Sequence, residues 1–188
     1  MKKTAIIIGA SGLTGNLLLQ LLINDQRYET IKLFGRKKIE GLPSKVKQYT
    51  GNLFELENFK TEFTANEVYC CIGTTAKKTP DKSVYKAIDY GIPVNAAKLA
   101  KENNINTFIV VSALGANVDS NIFYSKTKGK MERDVLQQNI EKTTTEDKAV
   151  IQRLMLDASM ADQLVVLPLS CIDIEYPNKL NQVIGDKT

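Results

Sequence analysis

The chain contains no histidine. That absence excludes a Ser-His-Asp triad, a Cys-His nucleophile pair and any histidine-containing zinc site. Acid–base chemistry is left to Tyr, Lys, Asp, Glu or Cys, and no metal site is expected. Cysteine is scarce and odd in number: Cys70, Cys71 and Cys171. Two are adjacent and none stands in a Cys-x-x-Cys spacing, so Cys70 and Cys71 read as strand residues in a reducing compartment rather than as a redox pair. No uninterrupted apolar run is long enough to span a bilayer. The start, Lys2-Lys3 and then apolar residues, mimics a signal peptide. Gly9, Ser11, Gly12, Thr14, Gly15 and Asn16 interrupt it, however, and no small-residue cleavage site follows. The N-terminus therefore reads as structure, and the expected location is cytoplasmic. Clustered positive charge is also missing. The net charge of +4 comes mostly from scattered lysines, which suits anionic small ligands and falls short of a nucleic-acid footprint. Neither nucleic acid nor membrane is expected as a partner, and the oligomeric state is left open.

What is present is the composition of one globular domain: 188 residues, 43% hydrophobic and 24% charged, enough to bury a core. Strand-like segments at 4–8, 30–34, 45–50, 67–72 and 107–111 alternate with helix-like ones at 12–24, 54–62, 82–103 (broken near Pro93) and 124–140. This alternation predicts an α/β fold, a doubly wound parallel sheet with helices on both faces. The polar run Glu141–Lys148 reads as an exposed loop. Beyond it the pattern weakens to a helix over 150–160 and a short strand over 164–167. The expected organisation is a single domain over 1–188, with a core at 1–140 and a divergent segment at 141–188.

The richest local signal is Lys3-Thr4-Ala5-Ile6-Ile7-Ile8-Gly9-Ala10-Ser11-Gly12-Leu13-Thr14-Gly15. A β-branched run ends in glycines spaced Gly-x-x-Gly-x-x-Gly, and an apolar helical pattern follows with Leu17, Leu18, Leu21 and Leu22. Such a strand, tight turn and helix N-terminus bind a dinucleotide. The turn needs a residue free to take positive φ, the backbone must approach a pyrophosphate, and the helix presents unpaired N–H groups and the positive end of its dipole. Gly9, Ser11, Gly12, Leu13, Thr14 and Gly15 are the expected phosphate-binding residues.

Further cofactor contacts follow from strand ends. An acidic residue after the second strand would bond the 2′-hydroxyl of NAD, whereas Arg accommodates the 2′-phosphate of NADP. Here the position is basic, Arg36-Lys37-Lys38, and Arg offers a fork that matches phosphate. NADP(H) is therefore favoured over NAD(H), with Arg36 and Lys37 as contacts; a solvated charge run is the bland reading of the same residues. Asn52, followed by Leu53, either hydrogen-bonds the adenine or serves as a turn residue. Gly73, Thr74 and Thr75 close the fourth strand, where Gly73 lets the backbone pass near the cofactor and Thr74 can donate to it.

A buried strand then delivers Ser112, and twelve residues later Tyr124 opens a helix on which Lys128 lies one turn along, on the same face. A Tyr-x-x-x-Lys match alone is weak, and Tyr28 with Lys32 is a second one where no site should form. Ser112 selects Tyr124. In the implied chemistry Ser112 hydrogen-bonds a substrate carbonyl, Tyr124 donates its phenolic proton as hydride arrives from the nicotinamide, and the Lys128 ammonium lowers the phenol from its ordinary value of about 10. Lys128 can also hold the nicotinamide ribose.

GASGLTG, the basic end of the second strand, CIGTT, VSALGA and FYSKTKGKME, in that order, resemble the short-chain dehydrogenase/reductase superfamily. Within its atypical branch they are most similar to the Tat-interacting-protein-like oxidoreductases. The resemblance covers residues 4 to about 140. It implies a Rossmann fold, NADP(H) binding and Ser112, Tyr124 and Lys128 in the catalytic positions, acting on a small carbonyl or alcohol. A cofactor-binding regulatory or interaction module with little catalysis is the second reading. The chain departs from the family at Ala113, where a second serine is often found. It departs again after residue 140, where Val166-Leu167-Pro168-Leu169 is the nearest analogue of the family's Leu-Arg-Pro. A divergent or frame-shifted C-terminal end with an incomplete substrate pocket is expected from that departure.

Overall fold

The computed structural model describes residues 2–113 and 115–140. The readings made above for 141–188, Cys171 among them, lie outside the described residues. Among the described residues five strands, β1 (Lys3–Ile8), β2 (Tyr28–Gly35), β3 (Val46–Thr50), β4 (Glu67–Cys70) and β5 (Thr107–Val110), form one sheet in the order β3-β2-β1-β4-β5. Every pairing is parallel. β1 reads Lys-Thr-Ala-Ile-Ile-Ile because a central parallel strand is covered on both sides and needs no polar alternation. Its last four residues are buried. β3, at the edge, has no buried residue.

The two faces carry separate cores. Helix α1 (Leu13–Asn24) lays Leu18, Leu19 and Leu22 on Ala5, Ile7, Ile31 and Leu33. Their three-and-four spacing puts them on one stripe, and burial of each leucine is worth about 1.5–3 kcal/mol. The opposite face packs Ile6, Ile8, Val68 and Val110 under α3 (Ile92–Glu102) and α4 (Phe123–Leu136). Helices therefore cover both faces, as the alternation predicted. Among the described residues no helix is long and apolar enough to cross a membrane.

Two helical expectations are revised. Residues 54–62 do not form an α-helix. A 3-10 helix runs over Leu53–Phe59, with Glu55 at a non-helical φ of −120°. Asn52 explains the start, since its side chain accepts the Phe54 N–H and competes with helical bonding. The expected break near Pro93 is instead a widening. Helix α2 (Lys82–Lys86) passes through a π-turn, Ala87–Gly91, into α3 without interruption, and Ile92 N–H bonds Ala87. A proline ring clashes with the carbonyl four residues back, here that of Asp89, and a wider turn relieves the clash.

The register fixes where function can lie. Ile8 stands opposite both Phe34 and Cys70, so the parallel strands end level. The order reverses between β1 and β4, the crevice where open α/β sheets take their ligands.

Candidate functional site

Gly9 leaves β1 at φ +88°, and a Cβ there would stand 2.9 Å from the Cys71 carbonyl oxygen. Gly12 N–H donates to Gly9 O at 3.0 Å and closes the turn. Gly15 is buried against the Gly9 and Ala10 backbone, with no room for a side chain. Helix α1 then begins with no side-chain cap and no acid in its first turn. Its first N–H groups lack intrahelical partners, and Ser11, Leu13 and Thr14 stand beside them, with Ser11 and Leu13 exposed. A backbone cradle that any Cβ would fill, at an uncapped helix N-terminus, fits a pyrophosphate.

A cleft of 390 Å³ opens beside this cradle, lined by Gly9, Ser11, Arg36, Lys37, Tyr49, Leu53 and Ile72 among others. Arg36 and Lys37 are exposed, and neither side chain forms an ion pair among the described residues. Gln48 was not foreseen. Its amide accepts from Ile39 N–H and donates to Ile39 O, both at 2.8 Å, and so fastens the loop after Arg36 and Lys37 to β3. Phe34 stacks on Tyr49 at 4.9 Å and forms an apolar wall of the cleft. Asn52 is committed elsewhere: Oδ1 takes Phe54 N–H and Nδ2 donates to Glu55. The turn reading of Asn52 thus accounts for its side chain, while Leu53 lines the cleft.

Across the switch point lies a buried polar cluster. The Lys128 ammonium, 4% exposed, is 3.0 Å from Asp89 Oδ1 and donates to Val111 O at 3.2 Å. Asp89 Oδ2 accepts Thr74 N–H at 2.8 Å. Oδ1 makes no hydrogen bond of good geometry despite full burial, and so retains accepting capacity. Thr74 Oγ1 pairs with Thr79 Oγ1. Gly73 is exposed, its Cα facing Asp89 and Lys128, and Thr75 is exposed beside it. Ser112, buried at the exit of β5, donates its hydroxyl to Glu132 Oε1 at 2.5 Å. Tyr124 is partly exposed and its ring meets that of Tyr85 edge-on at 6.3 Å.

The electrostatics correct one expectation. Lys128 does not lower the Tyr124 phenol. The phenol is raised above its ordinary 10, first by burial and then by the charge of Asp89. The Lys128 ammonium is ion-paired with Asp89 instead. Asp89 and Glu132 are the functional candidates that sequence reasoning missed. A proline four residues on, at Pro93, was the one available hint of an irregular turn at Asp89. Tyr28 and Lys32, the second Tyr-x-x-x-Lys match, are structural: Tyr28 donates to Glu67 and Lys32 to Glu62 and Thr64 carbonyls.

The sequence matches the NAD(P)H-binding family over residues 9–163. The chain belongs to this family, as an atypical short-chain dehydrogenase/reductase. Protein FMP52, mitochondrial, of Debaryomyces hansenii is 37% identical over 145 residues, covering 74% of this chain and 63% of that protein. Protein HTATIP2 of Rattus norvegicus is 30% identical over 137 residues, 71% of this chain and 56% of that protein. The chain thus spans under two thirds of the length of these relatives. In shape it is similar to the Bordetella bronchiseptica enzyme WbmG in complex with NAD, at a TM-score of 0.62 and 16% identity, covering 74% of this chain and 51% of that one. It is also similar to UDP-glucose 4-epimerase of Thermotoga maritima, at 0.60 and 14%, covering 72% and 50%. The cytoplasmic expectation is corrected by the yeast relatives, which are named mitochondrial proteins. Reduced thiols and a structural N-terminus do not separate the cytosol from other reducing compartments, which is why that inference failed.

Proposed function

We propose that this chain reduces a small carbonyl compound with NADPH, using Ser112, Tyr124 and Lys128. The observation that supports this reading is the buried Lys128 ammonium, 3.0 Å from Asp89 and bonded to Val111 O one residue before Ser112, with Tyr124 one helical turn before Lys128 on α4. When bound, the reduced nicotinamide supplies the hydride that adds to the carbonyl carbon. Tyr124 gives its proton to the carbonyl oxygen, and solvent restores that proton afterwards. A phenol held above 10 is fully protonated near neutral pH, which is the form a reduction consumes. Ser112 orients the carbonyl. Lys128 and Asp89 offer a donor and an acceptor to ribose hydroxyls. Arg36 and Lys37 favour the 2′-phosphate, and the uncapped α1 N-terminus favours the pyrophosphate.

The test is NADPH oxidation by the full chain against a panel of small aldehydes and ketones. Turnover with at least one, reduced by about 10²–10⁴-fold in Tyr124→Phe, is expected. Tight NADPH binding with no turnover on any carbonyl, identical in Tyr124→Phe, would overturn the enzyme reading in favour of a binding module.

A further inference from the structure

Ser112 carries one hydroxyl proton, and a hydroxyl has one donor and two acceptor lone pairs. That proton is directed to Glu132 Oε1 at 2.5 Å. A serine so engaged offers a substrate only lone pairs, which repel a carbonyl oxygen. Glu132 stands one helical turn beyond Lys128 on α4, while Ser112 comes from the β5 exit, so the contact joins two separate elements at the site. We propose that Glu132 is a positioning residue that sets the hydrogen-bond polarity of Ser112: as a carboxylate it holds the serine proton, and as a carboxylic acid it donates to Ser112 Oγ and frees that proton for the substrate carbonyl.

This rests on the role of Ser112 given above. Among the described residues few charged groups face Glu132. Lys128 lies on its own helix, Asp89 reaches Lys128 from the π-turn, and Ser112 is the neutral partner from β5. Half-burial is the largest influence and raises the Glu132 carboxyl above its ordinary 4.5, against the lowering effects of Ser112 and Lys128. The protonated form therefore persists to higher pH than for an exposed glutamate. The device needs no added reactant, since one proton is exchanged with solvent at Glu132.

The experiment is the pH profile of kcat/KM for carbonyl reduction in the full chain, with Glu132→Gln and Ser112→Ala beside it. In the wild type the profile should fall above the Glu132 titration, well before any decline from Tyr124 above pH 10. Glu132→Gln, whose amide can donate to Ser112 as the acid would, should lose that lower limb and hold the low-pH rate. A Gln variant that keeps the limb, or a Ser112→Ala variant that keeps it, overturns the proposal. A readout free of turnover accompanies it: carbon-13 NMR titration of the glutamate carboxyls, assigned through Glu132→Gln. Ser112→Ala should move the Glu132 titration upward, because the hydrogen bond that favours the carboxylate is gone. An unmoved titration overturns the proposal whether or not any substrate reacts. A shifted titration in a chain that reduces no carbonyl overturns the reductase reading instead, and with it the catalytic meaning of the Ser112–Glu132 pair.

Discussion

Gly9 faces two steric demands at once in the crevice. It combines a φ of +88° with 2.9 Å of clearance to Cys71 O. Gly9→Ala should cost about 1–3 kcal/mol from the backbone conformation alone, with further loss from the contact. Urea denaturation should show the lower midpoint, and NADPH affinity should fall with it, because the same backbone forms the phosphate cradle. Glycines of this kind were legible in the sequence, since their spacing follows from one local turn. The positions of Ser112 after a strand and of Tyr124 and Lys128 one turn apart on a helix were legible for the same reason. Asp89 and Glu132 were not. Asp89 meets Lys128 across 39 positions of sequence and Ser112 meets Glu132 across 20, and no local spacing encodes such contacts. The sign of the Tyr124 shift was lost as well, because it depends first on burial and then on the charge of Asp89.

Among the elements, α1 depends on a residue from outside itself. Its last turn holds no basic side chain. The Lys45 ammonium, from the loop before β3, donates to Leu22 O at 3.1 Å, Asp25 O at 3.4 Å and Tyr28 O at 3.2 Å. It adds a second donor to the Leu22 and Asp25 carbonyls, which already accept Asp25 N–H and Tyr28 N–H, and complements the negative end of the helix dipole. Lys45→Met should cost about 1 kcal/mol and speed amide exchange in the last turn of α1 while leaving its first turn protected. The strands and α1 were readable from periodicity because each is amphipathic or buried on its own account. The 3-10 helix at 53–59 and the π-turn at 87–91 were not, because both arise from competition: Asn52 capping against helical bonds, and the Pro93 ring against the Asp89 carbonyl.

The molecule as a whole is held at the end of the sheet opposite the crevice by a buried hub. Glu67 accepts hydrogen bonds from Tyr28 at 2.6 Å and Tyr69 at 2.8 Å, and pairs with Lys3 at 2.7 Å, so it joins the starts of β1, β2 and β4. Burial, and then the Glu67 charge, raises both phenols above 10. Burial also pushes the Cys70 thiol from 9.0 to about 11 and raises Cys71. In the unfolded chain these acids ionise at ordinary values, so above pH 9 the folded state binds more protons and stability falls as pH rises. The loss should begin near pH 9 with the thiols and steepen past pH 10 with the phenols. Below pH 9 these four groups are protonated in both states and contribute no slope. Chemical denaturation at pH 8, 9, 10 and 11 reads this directly, and Tyr69→Phe should shallow the slope above pH 10.

The cofactor reading joins the three scales, because a glycine cradle, a strand-end arginine and a level sheet edge must act on one ligand. Calorimetric titration of the full chain with NADPH and NADH measures it. An Arg–phosphate contact is worth about 1.5–3 kcal/mol, so NADPH should bind roughly ten- to a hundredfold more tightly than NADH. Arg36→Ala should abolish most of that difference while leaving NADH affinity unchanged. Equal affinities for the two nucleotides, or a preference that survives Arg36→Ala, would contradict the assignment of Arg36 to the 2′-phosphate. Binding of neither would contradict the crevice itself.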